Sequence, residues 1–116
     1  MSVDYSEERP WGAWYVLDEG PDYKVKRIHV MPGKRLSLQS HQFRAENWIV
    51  VKGTALVQVD DQVCTLKPGE MTTILQGAKH RLTNEGSDEL VIVEVQRGSS
   101  TAESDITRYE DDFGRG

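Results

Sequence analysis

Gln39, His41 and Glu46 lie around one turn of the chain, and His80 follows much later, between segments that read as strands. In the extended run LSLQSH, Ser37, Gln39 and His41 share one side while Leu36 and Leu38 take the other. Gln39 and His41 can therefore approach one ion together. The turn that follows can bring Glu46 back to them, and a folded-over sheet can bring His80 across as a fourth ligand. Imidazole nitrogen, carboxylate oxygen and amide oxygen form a mixed donor set. Such a set suits zinc, manganese, iron, cobalt or nickel better than a thiolate-selective metal. A vacant coordination position on such an ion would polarise a substrate hydroxyl or carbonyl. The plainer reading of the same residues is a hydrogen-bonded core histidine at His80 and a Glu46 paired with a basic neighbour.

The elements that must position these residues are strands. Period-two apolar patterns rich in β-branched residues recur over residues 13–17, 24–31, 36–40, 46–52, 55–59, 63–66, 71–75, 81–83 and 89–96. Turn-forming groups separate them, among them Pro32-Gly33, Lys52-Gly53, Asp60-Asp61 and Pro68-Gly69. Many short strands in so small a chain must close on themselves or pack face to face to bury their apolar sides, and the pattern predicts an all-β jelly-roll barrel. In KVKRIHV, Lys24, Lys26, Ile28 and Val30 fall on one face and Val25, Arg27 and His29 on the other. Neither face is uniformly apolar, so one is expected to line a polar cavity.

The tails differ from the middle. Residues 1–8 are polar and read as a mobile segment, residues 9–98 as the barrel and residues 99–116 as a C-terminal extension. Within that extension Ile106, Tyr109 and Phe113 recur at three- and four-residue spacing, which predicts a short docking helix. Trp48 is expected to help close the barrel, with Trp11 at the cavity rim.

At 116 residues the chain has the size of one domain. Its net charge of −5 disfavours non-specific nucleic-acid binding, which needs a basic surface, but allows a local basic pocket. No stretch approaches the length of a membrane-spanning helix, and the acidic start lacks the basic and apolar regions of a secretory signal, so a cytoplasmic location is the default expectation. The single cysteine excludes an intrachain disulfide, and its strand-like surroundings predict that Cys64 is a small buried hydrophobe.

Two blocks carry a family resemblance. PGKRLSLQSHQFRAENWIVVKG, from Pro32 to Gly53, and PGEMTTILQGAKHRLTN, from Pro68 to Asn84, resemble the two motifs of the cupin superfamily. Leu75 stands where the general cupin pattern often has proline. Within that superfamily the chain is similar to the type II phosphomannose isomerase domain at the C-terminal end of bifunctional mannose-1-phosphate guanylyltransferases. RPWGAWYVLDEG (9–20), YKVKRIHVMPG (23–33), VIVEVQRG (91–98) and SDITRYEDDFGR (104–115) extend the likeness over nearly the whole chain. The family segment is commonly HHHRAEHW, whereas this chain reads HQFRAENW, with Gln42, Phe43 and Asn47 where histidines are usual. A changed contact behind the metal ligands, a changed proton route or a changed selectivity is the expected consequence.

The resemblance implies a cupin-type double-stranded β-helix and one divalent metal ion, zinc first among the candidates, at Gln39, His41, Glu46 and His80. It implies interconversion of an aldose phosphate and a ketose phosphate, as of mannose 6-phosphate and fructose 6-phosphate, and a homodimer. No nucleotide transfer follows, since a glycine-rich P-loop is lacking. Glu46, His80, Arg44 and Arg115 are the candidate catalytic residues. Arg27, Arg44, Arg81 and Arg115 are the leading candidates for phosphate contacts, with Lys26 and Arg108 also able to donate. Asp105, Glu110 and Asp111 are candidate bases, and His29 could carry a proton. A non-catalytic sugar or sugar-nucleotide binding domain, or a different metal-dependent carbohydrate isomerase, is the alternative reading.

Overall fold

The computed structural model describes residues 5–113, all of whose regular structure is β. Eleven strands form: β1 (Tyr5–Arg9), β2 (Gly12–Glu19), β3 (Tyr23–Val30), β4 (Leu38–Ser40), β5 (Arg44–Lys52), β6 (Ala55–Val59), β7 (Gln62–Leu66), β8 (Met71–Ile74), β9 (His80–Thr83), β10 (Leu90–Gly98) and β11 (Thr107–Glu110). They make two antiparallel sheets, ordered β1-β2-β3-β10-β5-β8 and β11-β4-β9-β6-β7. The architecture is therefore a pair of facing sheets rather than the closed barrel expected, because among the described residues no ladder joins one sheet to the other.

The nine strands expected between residues 13 and 96 all form. The expected C-terminal helix does not: Thr107–Glu110 pairs with β4 as an edge strand, and Phe113 packs beyond it against the core. Among the described residues there is no helix at all, and so none long and apolar enough to cross a membrane. Residues 5–8, read as part of a mobile tail, lie in β1 against β2; residues 1–4 lie outside the described part. Cys64 is exposed, not buried, because β7 is the outermost strand of its sheet.

The inner face of the six-stranded sheet changes character along its length. In β3 the inward residues run Lys24, Lys26, Ile28, Val30; in β10 they run Gln96, Glu94, Ile92, Leu90; in β5 they run Arg44, Glu46, Trp48, Val50, and all are buried. The antiparallel registers align these rows, with Glu94 opposite Lys26 and Trp48, and Ile92 opposite Ile28 and Val50. One end of the sandwich is thus a hydrophobic core, to which Val57, Leu82 and Ile74 add from neighbouring strands. The other end is buried but polar.

From β3 onward the chain passes repeatedly between the sheets, and three of its crossings meet at the polar end: residues 41–43, 75–79 and 99–106. Gly77 N–H donates to His41 O, and the Asp105 carboxylate accepts from the backbone N–H groups of Gln42 and Phe43, each at 2.9 Å. The 99–106 segment is tied down by Glu103, which receives Lys24 at 3.1 Å and Lys26 at 2.8 Å, and by Lys24 Nζ donating to Thr101 O at 2.7 Å. Lys26 also stands 3.9 Å over the Trp14 ring.

Gly98 allows the crossing to start where it does. A Cβ there would lie 2.0 Å from Phe43 O, because Gly98 faces Arg44 at close range across the β10–β5 ladder. Gly98→Ala is expected to lower stability in chemical denaturation by about 1–3 kcal/mol, the range for forced overpacking. For Glu103, burial favours the protonated acid but Lys26 and Lys24 outweigh it and hold the carboxyl below its ordinary 4.5. Its contribution to stability is present above pH 4.5 and lost as the pH falls through the lowered value. Denaturation curves of the wild type and Glu103→Gln should consequently differ at neutral pH and converge in acid; parallel curves at all pH values would contradict this.

Candidate metal centre

Glu46 is the centre of the polar end. The residue is 1 % exposed and its two carboxylate oxygens are held differently: Oε1 accepts from Trp48 Nε1 at 3.0 Å, and Oε2 accepts from Arg44 Nε at 2.9 Å. The strand alternation of β5 makes this possible, since Arg44, Glu46 and Trp48 are successive inward residues. His41 enters from the crossing before β5 and His80 from the first position of β9, and the rings lie 4.9 Å apart between centroids. One donor atom from each of His41, Glu46 and His80 falls within 4.8 Å of the others. All three residues are buried.

The histidines are oriented for an ion. His41 Nδ1 donates to Asp105 O at 2.6 Å and His80 Nδ1 donates to Ala78 O at 3.0 Å, so in both rings Nε2 is left as the lone-pair nitrogen facing Glu46. His41 Nε2 lies 3.3 Å from Glu46 Oε2, and His80 Nε2 lies 3.8 Å from Glu46 Oε1. Burial pushes the His41 imidazolium down to about 4, with Arg44 and His80 acting in the same sense against the attraction of Glu46. The ring is therefore neutral at pH 7, the form that binds metals. Burial alone would raise the Glu46 carboxyl, but His80, His41 and Arg44 together hold it well below the carboxylate range. Of His41 and Arg44, it is Arg44 that keeps a positive charge beside Glu46 at pH 7. Two imidazoles and an ionised carboxylate form a three-residue site compatible with one divalent ion.

Gln39 stands on β4 directly opposite His80 in the ladder and lines the same cavity. Its Nε2 donates to Ser37 Oγ at 3.0 Å, which leaves the amide oxygen as the atom able to face an ion. Ser37, Gln39 and His41 line the cavity together, as their alternation predicts, but Leu36 does so as well. Regular β4 begins only at Leu38, so strand alternation does not reach Leu36.

The remaining sequence candidates are divided. Arg44 and Arg81 line the cavity. Arg44 Nη1 donates to Ala102 O at 3.2 Å and its Nη2 approaches His41 Nε2 at 3.3 Å, so it ties Glu46, His41 and the 99–106 crossing together. Arg81 donates to Leu36 O, Glu110 Oε1 and Glu110 O, each at 3.0 Å, so its fork clamps β11 to β9. Arg27 lies on the outer face, over the Tyr15 ring and donating to His29 Nε2 at 2.9 Å. His29 is on that outer face too, 3.3 Å from Glu89. Asp105 supports the His41–Phe43 turn, and Glu110 pairs with Arg81. Arg115 lies outside the described residues.

Glu94 and Gln96 were not singled out from the sequence, although period two along β10 places them in line with Leu90 and Ile92. A charged residue continuing a buried apolar row was the available signal. Both line the cavity, and Glu94 shares the Trp48 Nε1 donor with Glu46 at 3.0 Å on each side. Burial, then Glu46, raises the Glu94 carboxyl above the usual range, with Lys26 opposing.

The residues by which the chain departs from HHHRAEHW do not reach this cavity. Gln42 and Phe43 are exposed on the crossing loop, and Asn47 lies on the outer side of β5, donating to Thr73 Oγ1 at 2.8 Å. Residues 2–111 match the family described as mannose-6-phosphate isomerase C-terminal. Over 107 residues the chain is 51% identical to xanthan biosynthesis protein XanB of Xanthomonas campestris, covering 92% of this chain and 23% of that protein. It is 50% identical to alginate biosynthesis protein AlgA of Pseudomonas aeruginosa, covering 92% of this chain and 22% of that protein. The chain thus spans less than a quarter of the length of these curated relatives. An uncharacterized double-stranded β-helix protein from Klebsiella pneumoniae, 23% identical, superimposes with a TM-score of 0.73 over 84% of this chain and 83% of that one. The chain belongs to the mannose-6-phosphate isomerase C-terminal family and has its two-sheet, cupin-like fold.

Proposed function

We propose that this domain is a metal-dependent isomerase that interconverts an aldose phosphate and a ketose phosphate, with mannose 6-phosphate as the first substrate to test. The observation that carries the reading is the buried His41–Glu46–His80 donor set opening on a cavity whose lining also holds Arg44, Glu94 and Gln96. A divalent ion there, for which zinc best suits the donor set, would supply Lewis acidity toward the sugar's carbonyl and hydroxyl oxygens. Gln39 is proposed as a further ligand through its amide oxygen.

The chain's own groups divide the remaining work. Arg44 is fixed by Glu46 and Ala102 O at the mouth of the donor set, where its guanidinium can hydrogen-bond a sugar oxygen on which negative charge develops. Isomerisation also requires a proton to leave carbon 2 and one to arrive at carbon 1. With Glu46 committed to the ion and to Trp48, Glu94 is the other carboxylate on the same cavity wall, and its position makes it the proposed proton carrier. Trp11, Trp14 and Trp48, all buried, add apolar surface to the cavity lining.

The direct test is metal analysis of the purified protein together with solvent-deuterium incorporation at carbon 2 of mannose 6-phosphate. Zinc near one equivalent and incorporation that stops on chelation and returns with metal are expected. Binding of the sugar phosphate without incorporation would replace the isomerase by a binding domain. His80→Ala should lose bound metal and exchange together. Glu94→Gln should keep the metal and lower exchange by roughly 100-fold or more, within the range for removal of a general acid–base group.

A further inference from the structure

Five basic side chains line the cavity, and four have an acidic partner: Arg9 with Glu7, Lys26 with Glu103, Arg44 with Glu46 and Arg81 with Glu110. The fifth, Arg108, has neither an ion pair nor a hydrogen bond for its side chain among the described residues. Its Nε is shielded from solvent and has no partner. A guanidinium remains charged at any physiological pH, and a shielded N–H without an acceptor is destabilising. Arg108 is thus an incomplete arrangement that an anion would complete.

The facing sheet holds the complementary gap. Gln96 is fully buried; its Nε2 donates to Glu94 Oε1 at 2.6 Å, but its Oε1 has no donor. The two orphans belong to the same cavity, one a cationic donor on β11 and the other a neutral acceptor on β10. A ligand that satisfies both carries an anionic group and a hydroxyl. Their placement relative to the metal donors fits such a ligand. Arg108 is in register with Gln39, and Gln39 with His80, so two strand spacings, about 10 Å of backbone, separate Arg108 from His80. Gln96 is in register with Glu46 on the opposite wall.

We infer that Arg108 holds the phosphate of the sugar phosphate while Gln96 Oε1 accepts a hydrogen bond from one of its hydroxyls, which sets the sugar's reactive end at His41, Glu46 and His80. This rests on the substrate class proposed above and assigns its orientation. Arg81 differs from Arg108 in having its fork occupied by Leu36 O and Glu110, so it is a clamp rather than an anion site.

The test is calorimetric titration of the metal-loaded protein with mannose 6-phosphate and with mannose, comparing wild type, Arg108→Gln and Arg108→Met. The wild type should prefer the phosphorylated sugar, and both variants should lose roughly 10- to 100-fold in affinity for it while binding mannose unchanged. Unchanged mannose binding serves as the check that a variant is folded. Gln96→Leu should weaken both sugars alike, since the contact is to a hydroxyl. Wild-type affinity for mannose 6-phosphate in either folded Arg108 variant would overturn the assignment, as would equal affinity of the wild type for the two sugars. An Arg108-dependent preference without any carbon-2 exchange would support the subsite and overturn only the catalytic reading.

Discussion

The constraint on which the polar end depends is the charge of Glu46. A carboxylate taken fully out of water costs several kcal/mol even after the protein relaxes, and it persists only where enough donors and positive charge surround it. Arg44 meets one oxygen and Trp48 the other, with His41 and His80 at 3.3 and 3.8 Å. Each compensating group is itself buried and must be held by something further. Arg44 is held by Ala102 O, His41 by Asp105 O, His80 by Ala78 O and Trp48 by Glu94. Satisfying one carboxylate therefore fixes all three sheet-crossing segments relative to the two sheets.

That dependence explains why the site lies where the topology is most entangled. A single strand pair could present Gln39 opposite His80, but Glu46 belongs to the facing sheet, and His41 to the segment that passes between them. Only a chain that alternates between sheets places these donor groups around an interior point while leaving regular ladders intact on both sides. The apolar half of the same interior, built on Ile28, Val50, Leu82, Leu90 and Ile92, supplies the burial that holds the sheets together. Polar and apolar ends share strands, so the site is positioned by rigid elements rather than by loops alone.

Much of this was legible from residue order because it rests on period two. The alternation in KVKRIHV correctly paired Lys24 and Lys26 with Ile28 and Val30 on one face, and the nine central strands follow from the same pattern. What escaped was decided by partners distant in sequence. YSEER in β1 has no apolar alternation and is a strand only because β2 offers a ladder. In the C-terminal segment, the spacing of Ile106, Tyr109 and Phe113 fits a helix locally, yet β4 presents an open edge that TRYE fills, and tertiary pairing prevails over local pattern. The division of the arginines was equally hidden. Nothing local distinguishes Arg27 on the outer surface, Arg81 with all three guanidinium nitrogens engaged and Arg108 with none engaged among the described residues, because each state is set by groups on other strands.

The departures from the common family segment acquire a different meaning once they are placed in space. Read along the chain, Gln42, Phe43 and Asn47 flank the candidate ligands His41 and Glu46 and would be expected to alter the chemistry. In the fold, Asn47 points away from the cavity because β5 alternates. Gln42 and Phe43 contribute their backbone N–H groups, not their side chains, to the contact with Asp105 that orients the His41 turn. Any residue but proline supplies that N–H, so the turn tolerates the exchange of histidine for glutamine or phenylalanine. The groups that touch the cavity interior are instead those on the inward rows, and along β5 these are Arg44, Glu46 and Trp48, which the chain shares with the common segment. The departures thus lie on the outer side of the turn and of β5, whose inner side is constrained by a buried charge.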